Sequence, residues 1–225
     1  MLETAQRLCK TDTNKKEPIE GRHIFQLHDR LLLNLSLTNL RTFVMTILSF
    51  AGFLRFDEVV SIKRCDVIFK PGYMKIFLER SKTDVYRVGK WVFISATETR
   101  CCPCKNIQQY FDRAGLGDEQ SDEYIFRGVT KFSKQGFEQL KRQNKPISYS
   151  TTRKLFLQSL ENIGLPSKDF GLHSLRSGGA TAAANAGITD RLFKQHGRWK
   201  SESAKDGYVK DNLTALLTVT KSLGL

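Results

Sequence analysis

GLHSLRSGGATAAANAGITDRLFKQHGRWKSESAKDGY, running from Gly171 to Tyr208, is the stretch whose reading decides the rest. His173 and Arg176 stand three residues apart, so on a helix they project from one face. Gly178, Gly179, Ala180, Ala182, Ala183 and Ala184 follow, small residues that let the helix pack close to a neighbour and hold Arg176 rigidly. Gly187 ends that helix. Thr189 is a good N-cap for a second one, Asp190 to Gln195, which Leu192 and Phe193 bury. A further break at Gly197 places Trp199, and Tyr208 comes nine residues later, after a hydrophilic stretch. A histidine, an arginine and a terminal tyrosine in this arrangement point to phosphate chemistry with a tyrosine nucleophile.

Working outward, Ile147 to Ile163 reads as an amphipathic helix with Leu155, Phe156, Leu160 and Ile163 inward, Arg153 and Lys154 outward, and Gly164 as its stop. Before it, Lys131 to Lys145 is polar and basic (Lys131, Lys134, Lys141, Arg142, Lys145) and reads as a mobile loop able to lie along phosphates. Gly115 to Phe126 reads as a connecting loop. Pro103 starts a helix from Cys104 to Ala114, with Ile107, Tyr110 and Phe111 on its buried face. Cys101, Cys102 and Cys104 lack the second ligand pair that a tetrahedral zinc site needs, so no metal is expected.

Between residues 65 and 95 the hydrophobic period changes to that of strands. Val67 to Phe69, Tyr73 to Leu78 and Lys90 to Ile94 predict a small antiparallel sheet, with Lys82 on the polar hairpin tip between the last two. Gly52 to Ile62 contains Arg55 and Glu58, three apart. Alone, these two read as a surface ion pair worth roughly a few tenths of a kcal/mol. From Glu20 to Leu54 two helices are predicted, one lined by Ile24, Leu27 and Leu31. The other is lined by Leu40, Phe43, Val44, Ile47, Leu48 and Phe50 and capped by Ser36 or Thr38. Residues 1–20 read as a linker, with Leu2 to Cys9 the end of a helix and Lys15 and Lys16 able to touch a polyanion backbone.

Lys and Arg outnumber Asp and Glu by 36 to 23 in the 225 residues, giving a net charge of +13 and a pI near 9.6. That balance favours nucleic acid as partner over an anionic membrane surface. No run of about 18 apolar residues is present, which excludes a membrane-spanning helix by length. The first residues lack a signal-peptide core. Five cysteines, three of them bunched, do not form a disulfide framework and suit a reducing compartment.

Together these residues resemble the catalytic domain of the tyrosine recombinases, the phage-integrase and Cre-like family. Arg55 in LRFDE matches the first arginine of that family, with Glu58 as its acidic neighbour, and Lys82 in RSKT matches the hairpin lysine. His173 and Arg176 match the H-x-x-R box, Trp199 the His/Trp position in its Cre-like form, and Tyr208 the nucleophile. His196 competes with Trp199, because many members carry Leu-Gly-His where this chain has Gln195-His196-Gly197-Arg198-Trp199. The wording HSLRSGGATAAANAG and HGRWKSE is similar to integrases of eukaryotic DIRS-like and Crypton-like mobile elements.

The resemblance implies an α+β, mainly helical fold with a small three-stranded antiparallel sheet. It assigns residues 21–225 to the catalytic domain and residues 1–20 to a linker or the remnant of an N-terminal core-binding domain. That helical domain usually precedes the catalytic one, and the chain starts too late to contain it. The implied activity is site-specific DNA cleavage and rejoining through a 3′-phosphotyrosine, with no cofactor and no metal, in integration or recombination of a mobile element. Two alternatives stand beside it: relaxation of the type IB topoisomerase kind, and a catalytically silent, domesticated DNA-binding module. The implied partner is double-stranded DNA, contacted by Lys15, Lys16, Lys131, Lys134, Lys141, Arg142, Arg153 and Arg198. A tetramer on two duplexes would form through a C-terminal helix lined by Leu213, Leu216, Leu217 and Val219, with no membrane partner. The expected location is the nucleus if the host is eukaryotic and otherwise the cytoplasm, without secretion.

Overall fold

The computed structural model describes residues 16–79, 89–132, 136–199, 201–210 and 217. Lys15, Lys82, Lys134, the Leu2 to Cys9 segment, and Leu213, Leu216 and Val219 lie outside these residues. Gly21–Leu32 forms α1, which buries Ile24, Leu27 and Leu31 as the periodicity predicts, together with His23. Leu37–Ala51 forms α2, and eleven of its fifteen residues are buried, so it is a central helix covered on all sides rather than a surface one. Ser36 caps it, accepting from the Asn39 amide at 3.1 Å. Thr42, Thr46 and Ser49 bond back to carbonyls one turn earlier, which lets hydroxyls sit inside the core.

Phe56–Val60 forms the short α3, and a 3-10 turn at Arg64–Asp66 leads into the sheet. Val67–Lys70, Tyr73–Leu78 and Lys90–Ser95 form β1, β2 and β3, an antiparallel meander in sequence order, with Val67 opposite Ile76 and Ile76 opposite Val92. Strict alternation buries Met74, Ile76 and Leu78. They share one core with α2 and with α4, Pro103–Ala114, whose first residue is the expected proline. Cys101, Cys102 and Cys104 are free thiols, and burial pushes Cys101 and Cys104 up to about 11.

The basic stretch predicted to be a mobile loop is instead a hairpin, β4 (Val129–Phe132) and β5 (Phe137–Leu140), making a second, two-stranded sheet. Two features offset its low apolar content. Phe132 stacks on Phe137 with ring centroids 4.6 Å apart, and Lys131 pairs with Glu138 across the strands at 3.1 Å. Tyr149–Glu161 forms α5, capped by Ser148.

His173–Asn185 forms α6, and its small residues do what their size suggests. A Cβ on Gly178 would stand 2.0 Å from the Ile19 carbonyl oxygen, and one on Gly179 would stand 2.0 Å from that of Phe50. The chain at Ile19 therefore belongs to the core rather than to a linker: Ile19 is 1% exposed and its amide donates to Ser174 O at 2.9 Å. Asp190–Gly197 forms α7 and Glu202–Asp206 forms α8. Three details differ from expectation here. The Thr189 side chain makes no cap bond, Leu192 is 48% exposed while Phe193 alone is buried, and the left-handed residue that ends α7 is Arg198 (φ 59°), not Gly197. Among the described residues no helix is long and apolar enough to cross a membrane, and no cluster of His, Cys, Asp and Glu could hold a metal ion.

Candidate active site

The site forms where the C-terminal end of α2, the start of α3, the first turn of α6 and the segment after α7 converge. Glu58, 2% exposed, is its hub. It accepts from the Arg55 amide at 2.7 Å and from Arg55 Nη1 at 3.1 Å, which ties off the start of α3. The same carboxylate accepts from Arg198 Nη2 at 3.1 Å and lies 3.7 Å from Arg176 Nη1. The expected surface ion pair is thus a buried carboxylate shared by three guanidiniums. Burying it requires those partners, and the surplus positive charge they leave suits an anion.

Arg176 is wholly buried. It donates to Phe53 O and, at 2.9 Å, to Gly197 O. Its Cζ sits 5.0 Å from the Trp199 ring centre and 4.9 Å from that of Tyr208, within cation–π range of both. Burial first, and then the charge of Arg55, hold its pKa below the usual arginine value, against the pull of Glu58. The Nε atoms of Arg176 and Arg198 and the Trp199 indole nitrogen are buried without an acceptor among the described residues.

His173 lies at an exposed position with its ring 5.0 Å from that of Tyr208. Loss of solvent on the packed side, then the charges of Arg176 and Arg55, keep its pKa below the ordinary imidazole value. Trp199 stacks on Phe193 at 5.0 Å and meets Tyr208 at 5.5 Å. The Tyr208 backbone is held by Thr181 on α6, whose hydroxyl donates to Tyr208 O at 3.3 Å and accepts from the Lys210 amide at 3.2 Å.

Arg55, His173, Arg176, Trp199 and Tyr208, with Glu58, are therefore brought together, whereas Lys82 lies outside the described residues. His196, the competitor of Trp199, turns away. Its Nε2 meets Ala51 O at 2.8 Å, its ring packs on Phe53, and it makes no contact with Tyr208. Of the expected DNA contacts, Lys16, Lys131, Lys141, Arg142 and Arg153 are exposed.

Arg198 is a correction. It is 7% exposed and bonds Gly52 O, Phe53 O and His196 O as well as Glu58, so it is an internal strut rather than a surface cation. Three positioning features escaped the sequence reading: Arg198 itself, Thr181 hidden in a run of small residues, and Phe53. Phe53 has φ 48° and presents its carbonyl to both Arg176 and Arg198. The one available signal was a cation just past a helix C-terminus, where free carbonyls attract it.

Comparisons with known proteins bear on the family and the fold. The sequence profile of the phage integrase family matches residues 23–214. An integrase/recombinase described as a xerD homolog, from Selenomonas ruminantium, is 29% identical over 196 residues, covering 87% of this chain and 54% of its own length. The chain thus spans about half the length of this curated relative. Among solved structures, the XerH site-specific recombinase bound to a palindromic difH substrate has a TM-score of 0.67 at 15% identity, over 93% of this chain and 53% of its own. XerA recombinase gives 0.65 at 17%, over 92% and 65%. A lambda integrase dimer bound to a COC′ core site gives 0.61 at 18%, over 92% and 51%. At these identities the structural likeness speaks for the fold.

Proposed function

This chain belongs to the phage integrase family, and from that premise we propose that it cuts and rejoins double-stranded DNA through a tyrosine ester. The observation that carries the reading is the packing of Arg176 against the rings of both Tyr208 and Trp199, with Arg55 joined to it through Glu58. In this reading the Tyr208 hydroxyl attacks the scissile phosphorus. A bond forms from its Oη to phosphorus as the hydroxyl proton passes to solvent, the bond to the 5′-oxygen breaks, and the products are a 3′-phosphotyrosine and a 5′-hydroxyl. Arg55 and Arg176 grip the non-bridging oxygens and stabilise the added charge, as planar forks suited to phosphate. His173, kept neutral, and the indole N–H of Trp199 add hydrogen bonds. Lys82 protonates the leaving oxygen. Glu58 and Arg198 position the guanidiniums rather than react. For a phosphate to reach Arg176, the Tyr208 ring must shift off it.

Trp199 at the His/Trp position and the wording of α6 favour a Cre-like chain, akin to integrases of DIRS-like or Crypton-like mobile elements. We also propose assembly on DNA. An apolar groove of about 530 Å³ runs between β3 and the α6–α7 corner, lined by Phe50, Trp91, Phe93, Ile188, Leu192 and His196 among others. Its proposed occupant is the leucine-rich C-terminal segment of a second copy, which carries Leu213, Leu216, Leu217 and Val219.

The test of the reaction is covalent trapping. Nicked suicide duplexes offered to wild type and to Tyr208→Phe should give a protein–DNA adduct on a denaturing gel from wild type alone. An adduct that persists in Tyr208→Phe would remove Tyr208 from the nucleophile's role.

A further inference from the structure

A second cavity, of about 490 Å³, lies between the first turn of α2, the β4–β5 hairpin and the first turn of α5, and the reaction above does not use it. Arg41, Lys131, Lys141 and Lys145 line it, and no carboxylate does among its described lining residues. Lys131 is already paired with Glu138, which also accepts from the Thr38 amide at 2.8 Å. The charge of Glu138 reaches Arg41 as well, so one carboxylate serves two of the four cations, and Lys141 and Lys145 form no ion pair among the described residues.

Arg41 is the unusual member. It is 2% exposed, yet among the described residues its guanidinium makes a single hydrogen bond, from Nη1 to Arg127 O at 2.7 Å, and its buried Nε has no acceptor. Burial holds its pKa below the usual arginine value against the pull of Glu138, and a buried N–H left unbonded is costly unless something completes it. The N-terminus of the thirteen-residue α5, capped by Ser148, faces the same cavity through Ser148 and Thr151 and favours negative charge. The cavity also adjoins the reaction site. Tyr149, next to Ser148, meets Phe56 edge-on at 5.2 Å, and Phe56 follows Arg55 directly.

We propose that this cavity is a second phosphate site, which takes a backbone phosphate of the bound duplex away from the reacting one, with Arg41 as buried anchor and Lys141 and Lys145 as outer cations. The inference rests on the DNA reading above. A planar guanidinium with a free N–H and a helix N-terminus together match phosphate oxygens. The short link from Ser148 through Tyr149 and Phe56 to Arg55 favours a phosphate carried by the same DNA over a free anion. Ten residues of α2 separate Arg41 from Ala51, roughly 15 Å at 1.5 Å per residue. A duplex covers that distance in about four to five base pairs.

Duplex binding measured by fluorescence anisotropy across salt tests it. The comparison is wild type, the pair Lys141→Gln/Lys145→Gln, and an equal charge removal at exposed positions of α4, Lys105→Gln/Arg113→Gln. The cavity pair should lower the slope of log K against log salt by about one or more, while the α4 pair leaves it unchanged. Scanning single methylphosphonates should reveal one phosphate outside the cleavage position whose neutralisation weakens wild type but not the cavity pair. Equal slopes for all three proteins overturn this site while leaving DNA binding intact. A wild-type chain that binds no duplex overturns both readings. Arg41→Met risks misfolding, so Arg41 is followed in wild type through its Nε–H resonance. A shift on adding duplex supports the site, and a shift with inorganic phosphate but not with duplex assigns it to a free anion and sinks the proposal.

Discussion

Glu58 sits within 3.7 Å of three guanidiniums at 2% exposure, so its charge is a structural necessity for its neighbours. Glu58→Gln leaves Arg176 and Arg198 buried without a counter-charge and should cost about 3–5 kcal/mol, read as a drop in urea midpoint. A loss below about 1 kcal/mol is what an exposed pair would give and would contradict the buried arrangement. Arg55 and Glu58 were visible in the sequence as a pair, but nothing in their spacing separates an exposed pair from a buried hub.

The histidines give a pH prediction. Burial first of all lowers the pKa of His23, His173 and His196 below the ordinary value near 6.5. The unfolded chain takes up protons at that ordinary value while the folded chain resists them. Stability is therefore full above it and falls as pH drops through 6.5. The melting temperature should decline from pH 7.5 to 5, and His196→Gln should decline less than wild type over that range. Parallel declines would show that His196 contributes nothing to the acid loss.

At the level of elements, α6 is the piece on which the site hangs. Its first turn carries His173 and Arg176, and its next turn approaches Ile19 and Phe50 so closely that only glycine fits. Gly178→Ala and Gly179→Ala should each destabilise by about 1–3 kcal/mol or more, because the obstructing atoms are backbone and cannot rotate away. Gly117→Ala, with open space at its Cβ and no left-handed backbone, should be neutral. Chemical denaturation of the three variants checks this, and comparable losses at all three would show that close helix approach is not the cause.

The small-residue run signalled this packing, but a run of small residues does not name its neighbour. The β4–β5 hairpin was not legible, because its strands are held by one aromatic stack and one cross-strand ion pair rather than by an apolar stripe. Arg198 looked like a DNA contact because a cation in a polar stretch resembles a surface cation. Its left-handed backbone turns it inward to the carbonyls of Gly52 and Phe53.

For the whole molecule, the groove between β3 and the α6–α7 corner leaves Phe93 55% and Leu192 48% exposed, an apolar surface that two copies can cover. The assembly proposed above predicts that Phe93→Glu abolishes association of several copies on DNA, seen by mass photometry, while a single copy still binds. Unchanged assembly would place the contact elsewhere. The sequence alone determined the period of each main helix, the three-stranded meander, the basic balance, and the order of His173, Arg176, Trp199 and Tyr208. These are local properties, carried by spacing, propensity and charge. The tertiary structure alone decided that Trp199 rather than His196 meets Tyr208, that Glu58 serves three arginines, and that Arg41 stands buried with its Nε unbonded. Each of these depends on which distant segments meet and on which atoms lose water when they do, and neither is written in the spacing of residues along one chain.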